Sequence, residues 1–451
     1  MEPIVTPAQM GVVDANSPTE TAELIERAGA AVAAAAVRLL GGRYGRRVAV
    51  VAGPGNNGAD GRAAARRLAA AGIAVTVIAT DASQSELRGV DLVIDAAYGT
   101  GFRGTYEAPE VGSIPVLAVD IPSGVDGLTG VASGRPLPAA ETVTFAACKP
   151  GLLLGDGPAL AGRVSVADIG LDVGDPGTWL VGDADVRQWW PTRPRDAHKW
   201  RAATWIVAGS AGMGGAASLA TRGALRCSAS YVRLSTPGGV AHAGLRPEVV
   251  TTGLPLVGWD RVVLEGSDRV ASLVVGPGLG RDDATRDAVL AVSRLAERPV
   301  VFDGDALWAL ASNDAPMPAG RPTVLTPHDG EYTQLTGHVP GADRFDAARR
   351  LASARDAVVL LKGPTTIVAE PSGKAAAVIS GDPLLASAGT GDVLSGIIGA
   401  LLAQGLDAFR AAALGAHLHG RAAAAWPHRS GLVAGDLADL LPAAIDAVFD
   451  A

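Results

Sequence analysis

The sequence Ser387-Ala-Gly-Thr-Gly-Asp-Val-Leu-Ser-Gly396 runs directly into Ile397-Ile-Gly-Ala-Leu-Leu402, an apolar run of helical length. A glycine-rich turn that opens a helix presents unbonded backbone N–H groups at the positive end of the helix dipole, which is typical of a phosphate site. Asp392 lies inside this turn. A carboxylate beside a bound phosphate is unfavourable, because both groups are negatively charged. We therefore infer a function for Asp392, which is to take a proton from a substrate hydroxyl. The alternative is a glycine-rich turn in which Asp392 only caps the helix.

Apolar segments in the second half of the chain end in glycine or polar residues, and a small-residue helix is predicted from Ala216 to about Ser228. Strands that alternate with helices predict a parallel sheet, which binds ligands at the carboxyl ends of its strands. Each predicted segment includes a strand and the turn after it. The segments are Thr204–Gly209, Leu273–Gly280, Val300–Ala306, Val324–Glu331 and Val358–Thr366.

These strand ends supply the parts of a phosphoryl-transfer site that has no Walker A loop. The segment Lys362-Gly-Pro-Thr-Thr366 is expected to contact nucleotide phosphates, while the glycine-rich turn binds the transferred group. Asp303, Asp305 or Glu331 could hold Mg²⁺ through water. A lone histidine is more often structural, but His328 follows Thr-Pro at a strand end, and there we favour a substrate contact.

The first half repeats the α/β pattern, with a helix predicted from Arg62 to about Ala71. Its polar side chains gather at or just past the strand ends, and their oxygens suit a hard cation and sugar hydroxyls. Each is also a common turn residue when taken alone. The predicted strands are Arg47–Gly53, Ile73–Ala79, Asp91–Ala96 and Ile114–Asp120. The polar residues are Asn56, Asn57, Asp60, Asp95, Asp120 and Ser123.

Proline, glycine and charged residues cluster between Asp172 and Lys199, where no clean periodicity continues. Such a break favours a domain boundary near residue 190. The sequence therefore predicts one domain at 1–190 and a second at 191–451.

Composition excludes several classes of protein. The 451 residues include 48 % apolar side chains and carry a formal charge of −8, which argues against a nucleic-acid surface. Cys148 and Cys227 lie far apart, and the first residues lack a secretory pattern, so we expect a cytoplasmic protein without a disulfide framework. The apolar run from Ala28 to Val37 is far shorter than the roughly 20 residues of a membrane span.

The first half carries three motifs: Gly53-Pro-Gly-Asn-Asn-Gly-Ala-Asp-Gly61, Asp95-Ala-Ala-Tyr-Gly-Thr-Gly-Phe-Arg-Gly104 and Asp120-Ile-Pro-Ser-Gly-Val-Asp126. Together they resemble the NAD(P)H-hydrate epimerase family. That family has a Rossmann-like α/β/α fold and interconverts the R and S forms of hydrated NAD(P)H, or NAD(P)HX. The resemblance implies a catalytic Asp120 and a potassium ion held by Asn57, Asp95 and Ser123. It implies substrate contacts at Asn56, Asn57, Gly58, Ala59, Asp60, Gly99, Thr100, Gly101, Phe102, Arg103, Gly104 and Thr105. Ala59 stands where the family usually has glycine. If φ is positive at this position, the methyl group of alanine would force the loop to shift.

An ordered set of motifs in the second half resembles the ADP-dependent NAD(P)H-hydrate dehydratases, which have a ribokinase-like α/β fold. The motifs begin at Val207, Gly276, Asp303, Leu325, Leu361 and Gly389. The resemblance implies substrate contacts at Ala216, Gly278, His328 and the catalytic Asp392. Nucleotide contacts are assigned to Lys362, Gly363, Pro364, Thr365, Thr366, Gly389, Thr390 and Gly391. Ala388 stands where the family usually has a glycine, beside this turn.

Both resemblances imply one metabolite-repair enzyme that epimerises NAD(P)HX and then uses ADP, with Mg²⁺ and K⁺, to dehydrate the S form. NAD(P)HX is the expected partner, with no nucleic acid and no membrane, and a homo-oligomer is expected. Two alternatives stay open. One is a vitamin kinase of the ribokinase fold, which would have no reason to carry the first domain. The other is a binding or scaffold protein with decayed sites.

Overall fold

The computed structural model describes residues 1–80, 86–239 and 244–450. The chain divides into two compact units: an N-terminal unit of residues 2–178, and a C-terminal unit of residues 179–450 together with Met1. Helix α5 (Asp183–Trp189) lies in the C-terminal unit, although the sequence-predicted boundary near residue 190 assigns it to the first domain.

The N-terminal unit combines one parallel sheet with helices and short pairing strands. Its helices are α1 (Pro7–Asn16), α2 (Thr21–Leu40), α3 (Asn56–Ala70) and α4 (Gly157–Ala161). Its strands are β1 (Glu2–Pro3), β2 (Arg47–Ala52), β3 (Ala74–Ala79), β4 (Leu92–Ala96), β5 (Tyr106–Glu107), β6 (Val116–Val119), β7 (Gly134–Arg135), β8 (Glu141–Phe145) and β9 (Arg163–Ala167).

The main sheet of this unit has the order β3-β2-β4-β6-β8-β9, and all its strands are parallel. Alternate residues of each strand face opposite sides. Val48 and Val50 share one apolar cluster with α2 and α3, while Ala49 and Val51 face the cluster on the other side. The next two strands along the chain lie on opposite sides of β2, with β3 on one side and β4 on the other. Ligands bind at such a reversal of strand order, at the carboxyl ends.

The C-terminal unit is larger and carries most of the helices. They are α5, α6 (Gly214–Arg226), α7 (Trp259–Gly266), α8 (Asp283–Leu295), α9 (Asp305–Leu310), α10 (Asp329–Thr336), α11 (Arg344–Arg355), α12 (Thr390–Ala403), α13 (Ala408–Ala424) and α14 (Ala434–Asp450). Its strands are β10 (Thr178–Leu180, at the boundary), β11 (Ala203–Val207), β12 (Tyr231–Ser235), β13 (Val250–Thr251), β14 (Ser272–Val275), β15 (Val300–Phe302), β16 (Thr323–Leu325), β17 (Val358–Leu361), β18 (Thr366–Ala369) and β19 (Ala375–Val378).

The sheet of this unit runs in the order β10-β19-β18-β17-β16-β15-β14-β11-β12-β13. Strands β11 to β17 are parallel to their neighbours, whereas β17, β18 and β19 pair antiparallel. The five strands predicted from sequence therefore end at one edge. The strand order reverses beside β11, whose neighbours are β12 and β14. The polar strand ends therefore lie at the edge where open α/β sheets bind ligands.

Helix α12 is the helix predicted after the glycine-rich turn, and it packs closely on α6 and on β14. Glycine permits this approach because it has no side chain. A Cβ at Gly396 would lie only 1.9 Å from the carbonyl oxygen of Ala220, and one at Gly223 would lie 2.2 Å from that of Val393. The contact fixes the start of α12 relative to α6.

Within the described ranges, no helix is both long enough and apolar enough to cross a membrane.

Gly396→Ala is expected to lower the free energy of unfolding of the C-terminal unit by about 1–3 kcal/mol, because the methyl group overpacks the α6–α12 contact. All eight tryptophans lie in this unit, so tryptophan fluorescence during urea unfolding measures it selectively. The control is Gly215→Ala, where a Cβ meets open space and only the helix-favouring effect of alanine is expected. Equal stability of the two variants would contradict the packing argument.

Candidate active sites

In the N-terminal unit the Asn-rich stretch is helical from its start. The sequence predicted a loop followed by a helix from Arg62, which is wrong, since α3 begins at Asn56 with Gly55 as its N-cap. Glycines bring this helix start close to the sheet. A Cβ at Gly58 would lie 1.9 Å from the carbonyl oxygen of Gly53, and one at Gly53 would lie 1.8 Å from that of Ala97.

The helical start also explains how Ala59 replaces a glycine. Ala59 lies in the first turns of α3 and donates its backbone N–H to the Gly55 carbonyl at 3.0 Å. It is absent from the described non-glycine residues with positive φ. The methyl group therefore introduces no backbone strain at this position.

Asp95 and Ser123 form a buried polar pair at the end of β4, and both are fully buried. The Ser123 hydroxyl donates to Asp95 Oδ1 at 2.7 Å, and the Ser123 backbone N–H donates to Oδ2 at 2.9 Å. Burial raises the pKa of Asp95, although the hydrogen bonds from Ser123 and Ala97 oppose that shift.

Asn57 has buried amide atoms, and neither Oδ1 nor Nδ2 has a hydrogen-bond partner among the described residues. A buried amide without partners is costly and unusual in a folded protein. The carboxylate of Asp95, the hydroxyl of Ser123 and the carbonyl of Asn57 are the hard oxygen donors that a cation such as K⁺ requires. These three residues, predicted from the resemblance as potassium ligands, fit such an ion chemically.

The loop after β4 brings the substrate residues predicted from sequence toward Asn57 and Asp120. A Cβ at Gly99 would lie 3.4 Å from Asn57 Cβ and 3.6 Å from Asp120 Oδ2. Gly99, Asn57 and Asp120 therefore share one site. The rest of the predicted loop, residues 100–105, continues from Gly99, and Phe102 stacks on Tyr98 with 4.1 Å between ring centroids.

Asp120 follows β6 and adopts a left-handed backbone conformation with φ of 67°. Such a conformation is uncommon for a residue other than glycine and is concentrated at functional sites. Its Oδ1 lies 2.8 Å from the ammonium of Lys149 and accepts a hydrogen bond from Thr144 at 3.0 Å. The sequence analysis did not identify Lys149 or Thr144. Lysine in an apolar Ala-Cys-Lys-Pro stretch gives no motif that would have predicted this contact.

Asp60 and Asp14 complete an acidic group around Asp120. Burial and, to a smaller extent, the charges of Asp120 and Asp14 raise the pKa of Asp60 to about 8. Burial also raises the pKa of Asp14, while Lys149 lowers it. At neutral pH Asp60 therefore carries a proton. Asp14 belongs to α1, far from the motifs in sequence, which is why sequence reasoning missed it.

In the C-terminal unit, Asp392 lies in the first turn of α12. The N-cap is Gly389, with φ of 89°, and it makes no side-chain cap hydrogen bond. Asp392 is therefore not the cap of this helix, which was the structural alternative. Ala388 is exposed and is not among the described residues with positive φ. The position in this turn that requires a positive φ is Gly389, where glycine adopts it without strain.

A buried network of charges surrounds Asp392. Lys362 Nζ lies 3.1 Å from Asp303 Oδ1 and 3.4 Å from Glu331 Oε2. Ser395, one helical turn after Asp392, donates to Asp303 Oδ2 at 2.5 Å. The network therefore ties the residues that follow β15 and β17, together with helix α10, to α12, and Lys362 supplies the positive charge at its centre.

The pKa of Asp392 is raised to about 7, mainly by burial. The negative charges of Asp303, Asp305 and Glu331 contribute to this rise, and Lys362 opposes it. A carboxyl group with a pKa near the working pH can accept and return a proton, as a general base must. His419 is buried nearby with its Nε2 2.9 Å from the Thr390 carbonyl, and burial lowers its pKa to about 4, so it is neutral.

The predicted nucleotide segment follows β17 and meets the start of α12. A Cβ at Gly391 would lie 3.5 Å from Lys362 Nζ, so the two nucleotide-binding stretches predicted from sequence are adjacent. Arg344 donates to the Lys362 carbonyl at 2.8 Å and pairs with Asp329 at 2.9 Å. Pro364 and Thr365 follow in the same turn, and Thr366 begins β18.

The predicted substrate residues of this unit lie at the same edge of the sheet. A Cβ at Gly278, after β14, would lie 3.0 Å from Ala216 Cβ in α6, which places these two residues together. His328 is the N-cap of α10. Its Nδ1 accepts hydrogen bonds from Gly330 and Glu331, so the proton lies on Nε2, and the side chain is exposed.

The three carboxylates considered for Mg²⁺ are engaged by the protein itself. Asp303 and Glu331 accept from Lys362, and Asp305 accepts from Arg281 at 2.8 Å. Among the described residues, no group of three or more Asp, Glu, His or Cys side chains is arranged to hold a metal. Any Mg²⁺ here would therefore take most of its ligands from nucleotide phosphates and water.

Comparison with known proteins identifies the family of this chain. A model of the NAD(P)H-hydrate dehydratase family matches residues 204–446, more than half of the chain, and the YjeF-related N-terminal family matches residues 21–87 and 78–151. The bifunctional NAD(P)H-hydrate repair enzyme of Mycobacterium tuberculosis is 39 % identical over 405 residues, covering 83 % of this chain and 82 % of the relative. The chain belongs to the bifunctional NAD(P)H-hydrate repair family.

Further relatives support this membership along almost the whole chain. The repair enzyme of Moorella thermoacetica is 36 % identical over 508 residues, covering 97 % of this chain and 96 % of the relative. The ADP/ATP-dependent NAD(P)H-hydrate dehydratase of Bacillus subtilis, crystallised with ATP and Mg²⁺, is 30 % identical with a TM-score of 0.54, covering 60 % of this chain and 98 % of that one. The predicted fold class, a Rossmann-like domain and a ribokinase-like domain, is confirmed.

Asp392→Asn is expected to stabilise the C-terminal unit, more at pH 8 than at pH 5. A raised pKa means that the folded state binds protons more tightly than the unfolded state, so stability falls as pH rises from about 4 to about 7. Removing the charge should recover roughly 2–4 kcal/mol at pH 8. Urea unfolding followed by tryptophan fluorescence measures this, with the exposed Asp446→Asn as control. A gain that does not depend on pH would contradict the assigned pKa.

Proposed function

We propose that the chain repairs hydrated NAD(P)H in two steps. The N-terminal unit interconverts the R and S epimers of NAD(P)HX, and the C-terminal unit uses ADP to convert the S epimer to NAD(P)H, AMP and phosphate. Family membership supports the overall reaction. The observation that carries the chemistry is Asp392, a half-buried carboxyl group with a pKa of about 7 at the start of a helix that can bind phosphate.

For epimerisation we assign an acid and a base to two carboxyl groups in different environments. Asp60 holds a proton at neutral pH and can deliver it to the C6 hydroxyl, which leaves as water while the ring nitrogen forms an iminium ion. Asp120, paired with Lys149, can accept a proton from the water that returns to the opposite face. The proton balance closes, because one proton is delivered and one is taken up.

Asn57, Asp95 and Ser123 would hold the potassium ion. Asn57 offers its unpartnered buried carbonyl, and Asp95 offers a buried carboxylate. A bound cation would supply positive charge beside the phosphates of the dinucleotide. The residues themselves position the substrate loop, because Gly99 lies against Asn57.

For dehydration we assign Asp392 as the general base. It removes the proton of the C6 hydroxyl, whose oxygen attacks the terminal phosphorus of ADP and releases AMP. The C6–O bond then breaks, and phosphate departs more readily than hydroxide would. Loss of a C5 proton to phosphate or water restores the double bond. The N–H groups of the first turn of α12 and the ammonium of Lys362 stabilise the transferring group.

We assign the segment 362–366 and Gly389, Thr390 and Gly391 to the nucleotide, because Gly391 and Lys362 are adjacent. Ala216, Gly278 and His328 are assigned to the hydrated nicotinamide. Mg²⁺ would enter with the nucleotide, since the nearby carboxylates are engaged by the protein. A cytoplasmic location and a homo-oligomeric assembly stay predictions from the sequence.

Recovery of reduced-nicotinamide absorbance from a mixed R and S sample of NADHX tests the proposal. The wild-type protein with ADP should convert the whole sample, and Asn57→Ala should stop near the S fraction. Asp392→Asn should lose the ADP-dependent reaction by about 10²–10⁴-fold, the usual contribution of a general base.

Each variant is the control for the other. Chromatographic separation of the epimers should show that Asp392→Asn still interconverts R and S forms, while Asn57→Ala still consumes the S form. A sample without protein corrects for the slow spontaneous interconversion. No recovery with ADP or ATP, or full activity of Asp392→Asn, would overturn the proposed function.

A further inference from the structure

Lys149 is a buried cation in the N-terminal unit, with 1 % of its surface exposed. Its ammonium contacts three oxygens at the same distance of 2.8 Å: Asp120 Oδ1, Thr144 Oγ1 and the Phe145 carbonyl. An ammonium group has three N–H donors. All three are therefore used inside the protein, and Lys149 has no donor left for a substrate.

The two oxygens of Asp120 have different surroundings. Oδ1 is held by both Lys149 and Thr144, whose hydroxyl accepts from the lysine and donates to the carboxylate at 3.0 Å. Oδ2 is the oxygen that faces the substrate loop, 3.6 Å from where a Cβ at Gly99 would lie. The carboxylate thus has one anchored oxygen and one oxygen directed toward Asn57 and Gly99.

We propose that Lys149 and Thr144 are positioning residues that anchor Oδ1 of Asp120, so that Oδ2 alone is presented to the substrate of the epimerase. This inference rests on the proposed epimerase function. Neither residue touches the substrate, and both act through Asp120.

Two observations favour this role over a purely structural one. Burying an ammonium costs several kcal/mol before its contacts are counted, and an apolar residue often fills such a space with equal or greater stability. In addition, Asp120 has a φ of 67°, a costly conformation that persists only where its surroundings hold it. Strand β8 supplies that support through Thr144, and the Asp120 N–H donates to Val143 in the same strand at 2.7 Å.

The charges around Asp120 also favour a cation at this position. Asp120 lies close enough to Asp14 and Asp60 for its charge to raise the pKa of both carboxyl groups, and Lys149 is the only lysine of the N-terminal unit. Lys149 therefore supplies positive charge where ionised carboxyl groups would otherwise repel one another.

The test is the steady-state epimerisation of R-NADHX by the full chain carrying Lys149→Met or Thr144→Val. Loss of the anchor should reduce kcat at least 100-fold for Lys149→Met and about 10-fold for Thr144→Val, with KM changed less than threefold. The matched control is Thr142→Val in the same strand, since Thr142 is equally buried but donates to the Ala161 carbonyl instead. It should retain kcat within about twofold.

Folding is monitored separately, because tryptophan fluorescence reports only on the C-terminal unit. Hydrogen exchange of peptides covering β2, β4 and β8 should show a folded N-terminal unit, and ADP-dependent conversion of pure S-NADHX should stay unchanged. If Lys149→Met unfolds the N-terminal unit, the proposal is tested by comparing the kcat of Thr144→Val with that of Thr142→Val.

A kcat within threefold of wild type in folded Lys149→Met, a rise in KM at constant kcat, or equal losses in Thr144→Val and Thr142→Val would overturn the inference. Absence of epimerase activity in the wild-type chain would instead overturn the proposed function.

Discussion

The close contact between α6 and α12 is the constraint on which the C-terminal site depends. α6 carries Ala216, α12 carries Asp392, and the two helices meet where Gly223 and Gly396 leave no room for a side chain. Because α12 also packs on β14 and β15, its first turn is held at the carboxyl edge of the sheet, where the strand order reverses. The proposed phosphate-binding turn and the proposed base therefore come from one rigid element, and Ala216, a proposed substrate contact, comes from its neighbour.

Both units bury carboxyl groups, and both do so in the same pattern. In the C-terminal unit, Lys362 pairs with Asp303 and Glu331, while Asp392 keeps a raised pKa of about 7. In the N-terminal unit, Lys149 pairs with Asp120, while Asp60 keeps a raised pKa of about 8. In both units a lysine pairs with a carboxylate, while another carboxyl group keeps a pKa near neutral and can exchange a proton. Burying such a group lowers the stability of the folded protein, a cost that active sites commonly carry.

The sequence predicts the strands and the residues at their ends, because glycine, asparagine and aspartate after an apolar run signal both a turn and a ligand edge. The helix after Gly389 and the adjacency of Lys362 and Gly391 follow from that pattern. The contact of Lys149 with Asp120 does not, since it joins residues in separate loops and no spacing rule links them. The helical conformation of Asn56–Asp60 was also missed, because asparagine and glycine are weak helix formers that tertiary packing overrides here.

The pH dependence of the ADP-dependent step tests whether Asp392 is the general base. The rate of conversion of pure S-NADHX at saturating ADP, measured in single turnovers between pH 5 and 9, should rise with pH and level off above an apparent pKa of about 7, because the base must be ionised. The residual reaction of Asp392→Asn should not show this rise with pH. The comparison distinguishes ionisation of Asp392 from ionisation of ADP, which occurs with both proteins. A rate independent of pH in the wild type, or the same rise with pH in Asp392→Asn, would contradict the assignment of Asp392 as the base.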